Sequence, residues 1–220
     1  MPRRAWRTLG SLVALGLLVP CALQAYVMPA EQLIQFMIAN FAKFDTLVIR
    51  QSTTQRQKGD RPGRVYEEIL SIKSPNLFHS SPVDPSTEQR RVDDQIFREL
   101  LIANSQRRLL PRLSELGIDT QQVAYTRLEG TVAYRIGEKD PGKPKLLIEK
   151  ARALPLLIVY QRPGREAGEW IQVRFLDYRK VEQGWVPYEI HYFSGDQWIE
   201  KYSIQSVKVN TPLKPSLFAK

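Results

Sequence analysis

The stretch Trp170–Asn210 constrains this chain more than any other. It reads WIQVRFLDYRKV, EQG, WVPYEIHYF, SGD and QWIEKYSIQSVKVN, and apolar and polar side chains alternate within each long run. A period of two is the pattern of a strand with one buried face. Ile171, Val173 and Phe175 share one side, as do Val186, Tyr188, Ile190 and Tyr192, opposite Glu189 and His191. The short connectors hold Gly184 and Gly195, a residue type that accepts the positive φ of tight hairpins. Three consecutive antiparallel strands with a common apolar face follow. The alternation slips near Leu176–Asp177 and near Gln205–Ser206, so that Trp198, Tyr202 and Ile204 give way to Val207 and Val209. A one-residue slip reads as a β-bulge, which lets a sheet curl. A curled sheet with a wide concave face of aromatic and aliphatic side chains must be covered by something or hold something.

The N-terminal half supplies candidates for the cover. Pro29 opens a helix where its missing N–H costs nothing, and Glu31 sits in the favourable first turn. Leu33, Ile34, Met37, Ile38, Phe41 and Phe44 gather on one side of that helix, with Phe36 on its flank. The apolar arc is wider than an ordinary surface stripe. It fits a helix sunk in a groove of the core, or a lid whose apolar side faces a cavity. Thr46–Gln57 reads as a strand that turns polar toward its end, and Arg64–Lys73 returns after the Gly59–Gly63 turn. Pro75 ends that strand, Leu77–Ser80 makes a further short one, Ser81–Gln89 is a loop, and Asp93-Asp94-Gln95 is a turn. Leucines at helical spacings from Phe97 to Gly117 predict two short helical pieces, the second starting near Ser105 or Pro111, with Pro111 as the kink and Gly117 as the C-cap. Gln122–Leu128, Thr131–Ile136, Leu146–Lys150 and Leu156–Gln161 complete the strands, joined by the Glu129-Gly130 turn and the exposed loop Asp140–Pro144. About ten strands and two or three helices result, with no βαβ alternation and no internal repeat. The fold class is mainly β with a few helices (α+β).

The first residues read as a leader. Arg3, Arg4 and Arg7 precede the apolar run Leu9–Val19, and Ala22-Leu23-Gln24-Ala25 offers a small residue at the cut, the layout of a secretory signal peptide. The apolar run is shorter than the ~20 residues that span a bilayer. Cleavage after Ala25 removes residues 1–25 and leaves residues 26–220 as a single domain, long enough for a substantial core. The net charge then falls from +9 to +6, and the single cysteine, Cys21, is lost. The rival reading makes Cys21 a lipidation site, but Leu18-Val19-Pro20 before it lacks the usual small residues.

Candidate chemistry is sparse. His79 and His191 stand far apart, and without cysteine the remaining chain has no metal-ligand spacing, so neither metal nor cofactor is expected. There is no G-x-S-x-G elbow, P-loop or G-x-G-x-x-G. Glu67-Glu68 and Asp93-Asp94 are adjacent carboxylates, and strand neighbours point to opposite faces, so they read as solvated or turn residues rather than an acid/base couple. Nothing nominates a catalytic centre, and the chain reads as no enzyme. Arg90, Arg91, Arg107, Arg108 and Arg112 form a basic set that reads as a solvated face, with contact to anionic lipid as the functional alternative. The leader argues against nucleic acid.

Several stretches together resemble the bacterial outer-membrane lipoprotein carrier and lipoprotein-sorting family, LolA-like. Lys73-Ser74-Pro75-Asn76-Leu77-Phe78 resembles that family's Lys-Arg-Pro-Asn-Leu-Phe segment, and Val92–Phe97 is similar to its turn of the type Ser-Asp-Gly-Lys-x-Leu-Trp. Val173–Tyr178, Val186-Pro187, Lys201–Asn210, Thr211-Pro212-Leu213 and Leu217-Phe218 look like its C-terminal pattern, and the order of elements matches over nearly the whole chain after the leader. Ser105–Tyr134 looks more like the broader sorting-protein relatives. The resemblance implies an incomplete, strongly curved antiparallel β-barrel with a helical lid over a hydrophobic cavity. It implies a periplasmic carrier in a Gram-negative bacterium, monomeric, that binds lipoprotein acyl chains or lipid and moves them toward the outer membrane. An inner-membrane ABC-type lipoprotein-releasing transporter would be the donor, and an outer-membrane protein the acceptor. A periplasmic sensor on the same fold, binding a regulatory protein, is the alternative. The residues expected to line the cavity are Leu33, Met37, Phe41, Ile49, Val173, Phe175, Tyr188, Ile190 and Tyr202. Where the family has an Arg that latches the lid, this chain has Ser74, with Lys73 and Arg50 as nearby substitutes.

Overall fold

Among the described residues ten antiparallel strands form a single sheet in the order β3-β2-β1-β10-β9-β8-β7-β6-β5-β4. The computed structural model describes residues 27–41, 44–56, 63–74, 77–87, 96–102, 105–161 and 170–219. The expected leader with Cys21, most of the expected 59–63 turn, Pro75 and Asn76, Arg90 and Arg91, the expected turn at 93–95 and the segment 163–168 lie outside them. The strands are β1 (Thr46–Gln55), β2 (Arg64–Lys73), β3 (Leu77–Pro82), β4 (Val123–Leu128), β5 (Thr131–Gly137), β6 (Lys145–Glu149), β7 (Pro155–Gln161), β8 (Trp170–Val181), β9 (Gly184–Ser194) and β10 (Gln197–Val209). From β4 to β10 the chain is a continuous meander, and β1 then adds along β10, from Leu47↔Val209 to Gln55↔Glu200. Among the described residues β3 and β4 are the two free edges, so the barrel is incomplete.

The sheet curls where its registers slip. The slip expected near Gln205–Ser206 is present, since Arg50 pairs with Ser206 but Gln51 with Ile204, which leaves Gln205 as the extra residue. Two more slips fall at Ile199 and Leu156, where the apolar pattern gives no warning. The expected bulge at Leu176–Asp177 is not one. The β8–β9 pairing runs through it in unchanged register, and Asp177 instead takes a left-handed φ of 48°. The β8–β9 turn also differs from expectation. Glu182 carries its positive φ (47°), and Gly184 is small because the Phe44 ring packs on it, with a Cβ there falling 2.5 Å from that ring.

Among the described residues three α-helices cover the concave side: α1 (Ala30–Phe41), α2 (Ile96–Ile102) and α3 (Gln106–Glu115). Helix α1 starts one residue later than expected, with the Pro29 carbonyl accepting from the Leu33 N–H. Pro111 does not divide the helical region. It lies exposed inside α3, which starts at Gln106 beside Ser105, the other expected start. Gly117 (φ 79°) ends α3 in a Schellman arrangement, with Ile118 N–H donating to the Leu113 carbonyl and Gly117 N–H to that of Ser114. No described helix is long and apolar enough to cross a membrane.

Candidate functional site

The concave face of the sheet has two chemically different ends. At one end α1 presses its apolar arc onto the strands. Leu33, Ile34, Met37 and Phe41 are buried to 1 % exposure or less and join Ile49, Val173, Phe175 and Ile190 in one cluster, while Phe36 on the flank is 44 % exposed. The Phe41 ring meets Phe175 edge-on at 6.4 Å and Tyr178 at 6.0 Å. Tyr178 is partly buried against the same cluster, where burial pushes its hydroxyl pKa well above the ordinary tyrosine value, and that hydroxyl donates to the Pro155 carbonyl at 2.6 Å. Two polar ties fix the ends of α1. Asn40 Nδ2 donates to the Arg152 carbonyl (2.8 Å), and Gln106 Nε2 of α3 donates to the Glu31 carbonyl (2.6 Å). A surface groove of about 310 Å³ runs between α1 and α3 past Gln35, Ile38, Ser105, Gln106 and Arg107.

Toward the other end the inward positions turn polar. On β1 the inward row runs Leu47, Ile49, Gln51, Thr53 and Gln55, and on β2 it runs Ile72, Leu70, Glu68 and Tyr66. Glu68, 4 % exposed, accepts from Gln51 Nε2 (2.9 Å) and Thr53 Oγ1 (2.6 Å) on one carboxyl oxygen and from Ser80 Oγ (2.6 Å) on the other. Glu200, facing inward from β10, is 1 % exposed and accepts from Gln55 Nε2 at 2.7 Å. Burial pushes the Glu200 carboxyl up to about 7, with hydrogen bonding from Gln55 and Tyr202 only partly offsetting the lost hydration and the nearby Glu68 adding to the rise. Tyr202 is buried as well, and burial together with the Glu200 charge raises its hydroxyl pKa. From above, α2 lowers Arg98 into this end. Its guanidinium lies 3.6 Å over the Phe78 ring at 6 % exposure, and its charge acts to lower the pKa of both Glu200 and Tyr202.

Eight of the nine expected lining residues are therefore buried on the inner face. Tyr188 is only partly buried against the cluster, with the Arg179 guanidinium 4.1 Å over its ring. Ser74 lies in the β2–β3 turn, where its N–H donates to the Asp45 carbonyl. Arg50 is not a substitute latch, because it points to the outer face and pairs with Glu67 at 2.6 Å. The carboxylates Glu67 and Glu68 do face opposite ways, but only Glu67 is solvated. The burial of Glu68 corrects the expectation, and its signal was the inward spacing from Tyr66 and Leu70. Of the basic set, Arg107 and Arg108 are exposed and Arg112 pairs with Glu99 and Glu115. Among the described residues no group of three or more His, Cys, Asp or Glu side chains is placed to hold a metal ion. His191 lies 3.2 Å from Glu189 on the outer face.

Comparison with protein-family models finds no match, and comparison with curated proteins finds no relative. Solved structures do match in fold. A LolA superfamily protein from Nitrosomonas europaea superimposes with a TM-score of 0.59 at 10% identity, over 88% of this chain and 99% of its own. A putative outer membrane lipoprotein-sorting protein domain from Vibrio parahaemolyticus gives 0.52 at 9% identity, over 85% and 94%. A DUF1329 family protein from Desulfovibrio piger gives 0.51 at 9% identity, over 86% and 95%. The chain has a LolA-like fold.

Proposed function

We propose that this protein is a periplasmic carrier, without enzymatic activity, that shelters the acyl chains of a lipoprotein or lipid on its concave face and moves them toward the outer membrane. The observation that carries the reading is α1. It is a helix of five buried apolar positions seated in a curved sheet and tied at each end by a side-chain hydrogen bond. Five such side chains are worth on the order of 10 kcal/mol of burial, and an acyl chain of about 14 methylenes supplies a similar amount at ~0.8 kcal/mol per methylene. A bound acyl chain can thus replace the contacts of α1 at little net cost, entering where the groove separates α1 from α3. Leu33, Met37, Phe41, Ile49, Val173, Phe175, Tyr188, Ile190 and Tyr202 would line the opened space. The donor would be an inner-membrane ABC-type transporter and the acceptor an outer-membrane protein.

Native mass spectrometry of the chain purified from a bacterial envelope tests the reading. Protein beginning at Tyr26 with acyl-bearing adducts is the expected result. A bare chain that also fails to take up a fluorescent fatty acid in vitro sinks it. The lid position is tested separately. Ser offers one donor on a short stem, whereas Arg could fork several bonds to the lid. Ser74→Arg should slow dye uptake with the circular dichroism spectrum unchanged, and unchanged or faster uptake removes Ser74 from the lid.

A further inference from the structure

The polar end of the concave face is built too fully for a carrier of plain hydrocarbon. Gln51, Thr53, Glu68, Ser80 and Glu200 are all buried to 6 % exposure or less, on four neighbouring strands, and all project to the side that α1 and α2 cover. Ordinary packing would place aliphatic side chains at these inward positions, as it does a few residues further along the same strands at Leu47, Ile49, Leu70 and Ile72. Buried polar atoms are normally paired. Here Glu68 is saturated by three donors, yet among the described residues Oε2 of Glu200 and Oε1 of Gln51 are buried with no donor within hydrogen-bond distance. Both are acceptors, and the buried donors Nε and Nη1 of Arg98 stand at the same end, so a group that completes it must both donate and accept, as a hydroxyl does.

The charges narrow the donor's chemistry. An anionic head would meet the Glu68 and Glu200 carboxyls, and a cationic one would meet the buried guanidinium of Arg98. A neutral group rich in hydroxyls avoids both repulsions. We propose that the polar end binds the uncharged polyol head of an acyl lipid, a glycerol-like group whose hydroxyls donate to Glu200 and Gln51 while its chain lies along the apolar end. This deepens the carrier reading and rests on it. Seated this way, a lipid has a fixed polarity in the protein, with its head under α2 and its chain under α1. The same acceptors would discriminate against acyl chains that carry no donor, because a site built to hydrogen-bond a hydroxyl is left unpaired by an analogue that lacks one.

Displacement of a bound fluorescent fatty acid from the purified protein tests the proposal, using ligands of one chain length. These are a monoacylglycerol, the fatty acid methyl ester, the free acid and an alkyl trimethylammonium. The monoacylglycerol should displace the probe at concentrations at least about tenfold lower than the methyl ester, with the two charged ligands no better than the ester. Glu200→Leu should reduce that ratio to about threefold or less. Gln51→Leu gives the same readout if the first variant does not fold. A monoacylglycerol-to-ester ratio near one in the native protein, or a high ratio that survives both substitutions, overturns the proposal. Displacement by the ester alone would leave the carrier reading standing and remove the head-group site, whereas displacement by none of the four removes both.

Discussion

The two ends of the concave face are built on the same strands, yet they are held shut by different physics. At the apolar end, α1 is seated by non-directional burial, with Phe41, Phe175 and Ile190 at 1 % exposure or less. Such contacts tolerate exchange, because an alkyl chain offers the same dispersion and the same release of water as a leucine. At the polar end, α2 sits over directed groups whose geometry is specific. Glu68 takes three short hydrogen bonds, and Arg98 is stacked on Phe78. A mismatched group there costs the desolvation of every atom it leaves unpaired. On the proposed carrier reading, capacity belongs to one end and selectivity to the other.

That contrast can be broken experimentally. The largest effect is expected at the apolar end. Phe175→Ala should lose ~3–5 kcal/mol of unfolding free energy in denaturant titrations, by transfer and cavity terms together. A loss below ~1 kcal/mol would mean that α1 is not closely packed on β8. Introducing a charge there removes hydration without a partner, so Phe175→Glu or Ile190→Glu should abolish fluorescent fatty-acid uptake.

The polar end should be recognised by its pH dependence. The folded-state pKa of Glu200 is raised from 4.5 to about 7, so the folded protein binds the proton more tightly than the unfolded chain does. Its contribution is then fully present below pH 4.5 and is lost as pH rises through about 7. At ~1.4 kcal/mol per unit the loss is up to ~3 kcal/mol. Glu67 and Glu189, held below the usual carboxylate range by their hydrogen-bond partners, act in the opposite direction, so the native curve alone is a mixture. The stability of Glu200→Gln relative to the native protein isolates the carboxyl and should rise between about pH 5 and about pH 8. A flat difference would place Glu200 in water.

Smaller effects follow. Ser80→Ala removes one of the three donors to Glu68 and should cost about 1 kcal/mol, measured by thermal unfolding near neutral pH. On the convex face Glu189 pairs with Lys201 at 2.8 Å while its side chain remains 29% exposed. Glu189→Ala should therefore change stability by less than ~1 kcal/mol and leave lipid uptake intact. An equal response at Glu189 and Ser80 would erase the distinction between inner and outer faces.

Much of this architecture is legible in the residues. The alternation of Trp170–Asn210 gives β8, β9 and β10 and the face they bury, because burial on one side of a pleat forces a period of two. The wide apolar arc of α1 marks a helix sunk into that face. The slip at Gln205 was visible because it moves the apolar set to the opposite parity. Slips at Ile199 and Leu156 were not, since the extra residue is itself apolar and the pattern reads through it. Glu68 shows the limit most clearly. By itself it is one half of an ordinary Glu-Glu pair on a strand, and a carboxylate's first preference is water. Its burial depends on Gln51 and Thr53 from β1 and Ser80 from β3 converging on it, and on Glu200 and Arg98 arriving from β10 and α2. Sequence by itself thus determined which elements form and which faces are apolar, because those follow from local period and side-chain hydrophobicity. Only the tertiary structure decided that the inner face ends in a buried polar site, because hydrogen-bond satisfaction there is shared among residues up to 145 positions apart, Gln55 to Glu200, and no local pattern records it.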